Sequence, residues 1–403
     1  MTVIYISYDG LMDQLGQSQV LPYLKGLAHG RLIILITYEK SHNFDDDSRR
    51  SNFAAVTENA GIRWIPLRYH QKLSTISTTY DILIGFLVCC YLLSTNRVQI
   101  VHARGYISSV IALWLKRMFK IRFIFDMRGF WIDQRVELGL WREGTMIVRF
   151  ARWIETGFLQ RADVVFALSS AAVLAMRSWP AVIGRDIRFE VVTTCTDLEL
   201  FKPPANEARV RGNKSFTLGY VGNAGRGYCF EPVLKIYLAI RSRIPDARFK
   251  IVNRNDHDLI KEHLAAYGVD VANVELIACD YSQVPSEIWG IDLGVFFYEW
   301  KKAHVSSVPT RMGEFLACGV PCISDVSGSG ILEILEKEGV GVALRHHDAA
   351  SIDAAAARGI SLASNINIRR KCVEVAQQYF SLETGVSTYE RIYRDLEDNL
   401  TWN

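Results

Sequence analysis

The sequence predicts an α/β fold made of two doubly wound parallel-sheet domains facing a cleft. Three observations predict it. The length, 403 residues, suits two domains of ordinary size. Short apolar, β-rich runs alternate with helix-period runs, the pattern of parallel sheets covered on both faces. The alternation breaks once, at residues 194–205, where Phe201-Lys-Pro-Pro204 reads as a linker, and then restarts.

In the first half, strands are expected at residues 3–7, 32–37, 62–66, 100–102, 123–126 and 164–168. Helices are expected between them, among others at 17–29 and 107–120. In the second of these, Ile107, Val110, Ile111, Trp114, Leu115 and Met118 keep the i, i+3, i+4 rhythm of a core-facing stripe. The longest apolar run, residues 82–93, is broken by Gly85. It falls short of the ~20 residues needed to cross a bilayer and reads as a buried helix. Beyond the linker, strands are expected at 216–221, 249–252, 274–277, 293–297 and 321–324, with helices at 231–241 and 382–396. This divides the chain into an N-terminal domain (1–193), a linker (194–205) and a C-terminal domain (206–378). A helical segment (379–403) is expected to pack back on the first domain.

Composition narrows the function classes. With 49% hydrophobic and 22% charged residues, the chain is neither disordered nor a coiled coil. A net charge of +3 gives no case for nucleic acid. It conceals a split, +7 over residues 1–190 and −4 over the remainder. The opening Met-Thr-Val-Ile-Tyr-Ile lacks the features of a signal peptide. The eight cysteines form no CxxC, and the nine histidines form no HExxH, so no zinc site is expected. Reduced thiols in a cytoplasmic protein are the expectation.

Three loops follow strand ends, where open α/β sheets place ligands. The first, Tyr8-Asp-Gly-Leu-Met-Asp13-Gln-Leu-Gly16, brings a glycine to the start of a helix. Backbone can approach a ligand there, although a plain turn fits the spacing equally. The second, Gly222-Asn223-Ala-Gly225-Arg226-Gly227, offers backbone N–H groups and a guanidinium suited to phosphate. A flexible turn with a solvated Arg226 is its alternative. The third is Ser306-Ser-Val-Pro309-Thr310-Arg311-Met-Gly-Glu314-Phe-Leu-Ala-Cys-Gly319-Val-Pro321. Pro309 suits the first helical position, Gly319 the C-terminal cap, and Pro321 blocks continuation. Arg311 in the first turn works against the helix dipole, a conflict that a bound anion resolves. Glu314 can accept hydrogen bonds from two vicinal hydroxyls. The alternative is a surface ion pair between the two, worth ~0.2–0.5 kcal/mol.

The third loop resembles the donor-binding segment of nucleotide-sugar glycosyltransferases of family four. Two further stretches, Ile6-Ser-Tyr-Asp-Gly-Leu…Leu15-Gly-Gln-Ser-Gln-Val-Leu-Pro-Tyr-Leu and Phe125-Asp126-Met-Arg128-Gly-Phe-Trp131, are similar to one branch of that family. The resemblance implies the GT-B fold, with two Rossmann-like domains. It also implies a retaining, metal-independent transfer from a nucleoside-diphosphate sugar, a co-substrate with no separate cofactor. By carry-over, Glu314 binds the ribose, Arg226 and Arg311 face the diphosphate, and Gly16, Gly222, Asn223, Ser306 and Thr310 complete the donor site. Asp126 and Arg128 join Glu314 as catalytic candidates, and Asp13, Trp131 and Arg135 face the acceptor; the alternative for this loop is that Asp126 caps it and Trp131 is packing. Ser306 stands where many relatives carry a first glutamate, eight positions before Glu314. Aspartate pairs at 45–47 and 256–258 lie in no compelling metal-binding context.

The implied acceptor is a cell-surface polysaccharide or a lipid-linked glycan. Lys116, Arg117, Lys120 and Arg122, with Arg142, Arg149 and Arg152, would suit an anionic membrane surface at its cytoplasmic face. Two other readings stay open, a nucleotide-sugar epimerase of the same fold and a non-catalytic nucleotide-sugar-binding protein.

Overall fold

A computed structural model describes residues 2–70, 74–205, 215–225, 227–298, 302–326 and 328–398. The chain forms two compact units, Thr194–Ser381 and the residues on either side of it.

The first unit holds seven parallel strands: β1 Thr2–Ser7, β2 Leu32–Glu39, β3 Ile62–Arg68, β4 Val98–Arg104, β5 Arg122–Asp126, β6 Val164–Ala167 and β7 Phe189–Val191. Their order is β3-β2-β1-β4-β5-β6-β7. The chain runs outward from β1 to β3, then returns to β4, so strand order reverses between β1 and β4. In β2, Ile33, Ile34, Leu35 and Ile36 are all fully buried. That requires helices on both faces and explains why the strand is apolar without alternation. β7 spans only three residues, too few to carry a readable pattern.

Numbering helices of five residues or more, this unit contains α1 Gln14–Gln19, α2 Leu21–Leu27, α3 Asp47–Asn59, α4 Ser74–Thr95, α5 Gly105–Met118, α6 Trp131–Glu137, α7 Met146–Arg161 and α8 Ser170–Arg177. The single helix expected at 17–29 is two. Val20 leaves helical geometry and Pro22 stands in the first turn of α2, where its missing N–H costs nothing. The expectation for residues 82–93 needs a larger correction. They form the middle of α4, a 22-residue helix. One face packs on α5, where Phe86 meets Trp114 edge-on at 5.7 Å. The other face is exposed at Ile76, Tyr80, Leu83, Leu87 and Tyr91. A helix that is apolar all round gives no periodicity from which to read its buried side.

The second unit holds β8 Thr217–Val221, β9 Arg248–Val252, β10 Val274–Ile277, β11 Leu293–Phe296, β12 Cys322–Ser324 and β13 Gly341–Ala343, in the order β10-β9-β8-β11-β12-β13. All pairs are parallel. Order reverses between β8 and β11. The helices are α9 Phe230–Arg241, α10 His257–Ala266, α11 Val284–Ile288, α12 Thr310–Ala317, α13 Ile331–Lys337, α14 Ala349–Ala363 and α15 Ile368–Phe380. Leu218, Tyr220, Val233, Leu234, Phe249, Ile251, Leu293 and Val295 are among its fully buried core.

The last helix, α16 Leu382–Asp398, belongs to the first unit and packs on α2 and β4. Its buried Gly385, Tyr389, Ile392, Tyr393 and Leu396 form one helical face.

Candidate functional site

In the second unit, the candidate residues gather at the C-terminal ends of β8, β9, β11 and β12, beside the reversal of strand order, where such sheets bind ligands. Gly222 ends β8 with φ +115°, a conformation glycine alone adopts easily. A Cβ there would overlap the Arg311 guanidinium, so the glycine also makes room for that side chain. The loop is held in place by three bonds. Gly222 N donates to Val252 O at 2.8 Å, Asn253 Nδ2 to Gly222 O at 2.8 Å, and Ala224 N to Asp256 Oδ2 at 2.9 Å. Asp256, one of the paired aspartates, is therefore a loop clamp. Asn223 is exposed, and its carbonyl accepts from Tyr220 Oη. Arg226 lies outside the described residues.

α12 begins at Thr310 with Pro309 as its N-cap, one residue later than the sequence suggests. Gly319 follows its end at φ +78°. Ser306 is buried in a short 3₁₀ turn and donates to Ala303 O at 2.8 Å. Thr310 is half-buried. Arg311 and Glu314 are 9% and 7% exposed. Among the described residues no ion pair joins them, so the exposed-pair alternative fails. Arg311 lies 4.6 Å from the Tyr228 ring centroid and 5.8 Å from that of Tyr220, and its Nη1 is buried with no hydrogen-bond partner. Burial pushes the Glu314 carboxyl up to about 7, with Arg311 opposing the shift. Two buried charges lacking full compensation are expensive, and a ligand carrying anion and hydroxyls would satisfy both.

Sequence reading missed Asp325, just after β12. It accepts from Tyr298 N at 3.0 Å and pairs with His347 Nε2 at 3.0 Å. Burial raises its pKa while those partners oppose the rise. Nothing in its sequence neighbourhood marks it, because His347 lies on another segment.

In the first unit, Gly16 sits in α1. A Cβ there would overlap Gly10 O and the Leu11 backbone, so this glycine is required for loop closure. Glu39, at the end of β2, holds the same loop. It accepts from Leu11 N at 2.6 Å, Met12 N at 3.2 Å and Thr37 Oγ1 at 2.6 Å. Asp13 is the N-cap residue of α1. It pairs with Lys40 Nζ at 2.9 Å and accepts from Asn43 Nδ2 at 3.0 Å.

Asp126, at the end of β5, is 1% exposed. Around it stand Arg128 (3.5 Å), His102 (3.6 Å) and Arg104 (3.7 Å), and Tyr389 Oη donates to it at 3.3 Å. Burial works against its charge, but Arg128, His102 and Arg104 outweigh burial and hold the carboxyl well below its usual range. Burial lowers the His102 pKa, with Asp126 opposing the shift. The Arg128 Nη1 and Arg104 Nε atoms are buried without hydrogen-bond partners. Trp131 stacks on Tyr106 at 5.4 Å, meets Trp141 edge-on at 5.1 Å, and has the Arg135 guanidinium 4.2 Å from its ring.

A second group at this sheet edge was not legible in the sequence. Asp81, the one charged residue of α4, is 1% exposed. It accepts from Tyr8 Oη at 2.9 Å and from His70 N at 3.2 Å, and its Oδ1 lies 2.6 Å from His70 Nδ1. The His70 side chain is 40% exposed, and its ring, held by the carboxylate, meets the Tyr80 ring edge-on at 5.1 Å.

Residues 31–194 match the family model described as a glycosyl transferase 4-like domain. No curated protein sequence matches the chain. Among solved structures, sucrose-phosphate synthase from Thermosynechococcus elongatus is 15% identical with a TM-score of 0.73, over 99% of this chain and 100% of that one. A glycosyltransferase from Rickettsia africae is 14% identical with a TM-score of 0.69, over 99% of each chain. HepE from Anabaena, in complex with UDP, is 13% identical with a TM-score of 0.68, over 99% and 100%. The likeness shows the fold: residues 31–194 match a glycosyl transferase 4-like domain, within a chain of the GT-B glycosyltransferase fold.

Proposed function

We propose that the protein is a glycosyltransferase that moves a sugar from a nucleoside-diphosphate sugar to a cell-surface polysaccharide or lipid-linked glycan, in the cytoplasm, with retention and without a metal. One observation carries this reading. Arg311 and Glu314 are buried one helical turn apart beside the Gly222 loop, with an unpartnered Nη1 and no ion pair between them. HepE, of the same fold, has been solved with UDP and with UDP-glucose.

On this reading Glu314 accepts hydrogen bonds from the two ribose hydroxyls. The Arg311 guanidinium and the first turn of α12 take the diphosphate, with Arg226 as a second cation, and Ser306, Thr310 and Asn223 border the same loops. As the bond from the anomeric carbon to the phosphate oxygen breaks, the electron pair leaves with the nucleoside diphosphate. Fixed cations and aligned backbone dipoles stabilise that charge without reorganising. The acceptor oxygen bonds to the anomeric carbon on the face the phosphate leaves, and its proton passes to the departing phosphate. In the first unit, Asp126 sets the position of Arg128, while Asp13, Trp131 and Arg135 border the acceptor. His70, held by Asp81, offers a further hydrogen-bonding group for a sugar hydroxyl.

A thermal-shift panel of nucleotides and nucleotide sugars tests the donor site. A ligand at 100 times its dissociation constant adds ~2.7 kcal/mol, and the stabilisation should vanish in Glu314→Ala. A wild-type protein indifferent to every nucleoside diphosphate would overturn the reading. Epimer formation from a nucleotide sugar alone would replace transfer by epimerisation.

A further inference from the structure

The first unit presents an apolar face for which the donor chemistry has no use. α4, α5 and α7 lie side by side on one face of the seven-stranded sheet, as successive right-handed crossovers dictate. Phe86 on α4 meets Trp114 on α5, and Tyr106 on α5 donates to Glu155 on α7 at 2.6 Å. Outward from α4 point Ile76, Tyr80, Leu83, Leu87 and Tyr91, and from α7 Met146, Ile147, Phe150 and Trp153. Both sets recur at three- and four-residue steps, so each is a stripe along its helix. Phe150 and Trp153 stack on one another at 5.8 Å in the open. Stripes this extensive mark an interaction surface.

Charge narrows the occupant. The three helices contain two acidic residues, Asp81 and Glu155, and both are buried. The surface they present is therefore free of negative charge. Among the described residues, Arg117 and Lys120 near the end of α5, and Arg142 and Arg149 around the start of α7, are exposed and have no ion-pair partner. Three other cations of this region are committed elsewhere. Lys116 and Arg122 bind Asp163, and Arg152 binds Asp133 and Glu155. Large apolar and aromatic side chains flanked by four free cations, with Glu143 beside Arg142 as the exposed acid at this edge, are the composition of a surface that lies in the headgroup layer of an anionic bilayer.

α4 is long and apolar enough to cross a bilayer by length and composition, but its inner face is spoken for. Asp81 is bonded to Tyr8 and His70, and Tyr38 Oη donates to Asp81 O at 2.8 Å. Lifting α4 out would strand those buried polar groups.

We propose that the first unit docks on anionic membranes by inserting the α4 and α7 stripes into the interface, with Arg117, Lys120, Arg142 and Arg149 reading the headgroups. Insertion of apolar side chains is insensitive to salt, unlike attraction by cations alone. Co-sedimentation of the full chain with vesicles of phosphatidylcholine, with and without phosphatidylglycerol, tests this at low and high salt. Binding should persist at high salt and be tighter with phosphatidylglycerol at low salt. Phe150→Glu with Trp153→Glu, and separately Leu87→Glu with Tyr91→Glu, should each weaken partitioning by about tenfold or more. All four side chains are exposed, so an unchanged melting temperature checks that these variants stay folded. Absence of vesicle binding would overturn the proposal, as would binding that salt abolishes and neither pair of substitutions alters. Concentration-dependent dimers that these substitutions dissolve, without vesicle binding, would assign the face to a second copy instead. The measurement requires no turnover, so it stands or falls apart from the donor reading.

Discussion

Glu314 carries the sharpest consequences at the scale of a single residue. Its carboxyl is raised to about 7 by burial, against an ordinary value near 4.5. Between these values the folded chain holds a proton that the unfolded chain has released. Stability therefore falls as pH rises through this window. Glu314→Gln should remove the dependence and gain on the order of 3 kcal/mol at pH 8 relative to wild type, read by urea denaturation at several pH values. The same substitution should cost nucleotide binding, because the amide presents one uncharged accepting oxygen where the carboxylate presents two charged ones. Wild-type affinity should rise from pH 6 to 8 with release of a proton, visible by calorimetry in buffers of different ionisation enthalpy. Gly222→Ala should cost roughly 2 kcal/mol or more through its positive φ and its overlap with Arg311, and should weaken diphosphates more than nucleosides. Equal losses for both would argue against a phosphate contact at Arg311.

Among the elements, α12 and α4 make opposite cases. α12 was legible because its signals are local: Pro309 before it, Gly319 and Pro321 after it, and a cation in its first turn that dipole arithmetic disfavours. What its sequence withheld was burial. Arg311 and Glu314 read equally as a surface pair until the neighbouring strands and the Tyr220 and Tyr228 rings were placed around them. α4 was misread because nearly every position is apolar, so nothing distinguishes the side on α5 from the side in solvent. Its buried Asp81 is bonded to Tyr8, from the loop after β1, and to His70, beyond β3, partners that no pattern within the helix announces. Asp81→Ala should cost about 1–2 kcal/mol, since it removes the partner of a half-buried hydroxyl and of an imidazole. Urea unfolding followed by tyrosine fluorescence reads the loss. A change below about 0.5 kcal/mol, the level of an ordinary surface substitution, would mean that the cluster does not hold α4.

At the scale of the whole molecule, the chain leaves the first unit at Thr193 and returns to it at Leu382. α16 covers β4 and α2. Its Tyr393 Oη lies 2.8 Å from His102 Nδ1, its Tyr389 donates to Asp126, and Arg31 binds Glu390. A chain ending at Ser381 should lose several kcal/mol in the first unit, by roughly 2–5 kcal/mol per large buried side chain removed, while the core of the second unit stands. Limited proteolysis should then cleave residues 1–193 first. Cleavage beginning instead within the second unit would contradict this division. The sequence by itself determined the strand–helix alternation, the break near residue 194 and the glycine, arginine and glutamate positions of the candidate loops. These follow from steric rules and periodicities that act over a few residues. Only the tertiary structure decided which charges are buried and uncompensated, that Glu39, Asp81, Asp256 and Asp325 serve as clamps, and that α4 keeps an apolar face in the open. Those outcomes depend on groups tens to hundreds of residues apart coming within a few ångströms, and no local pattern encodes that distance.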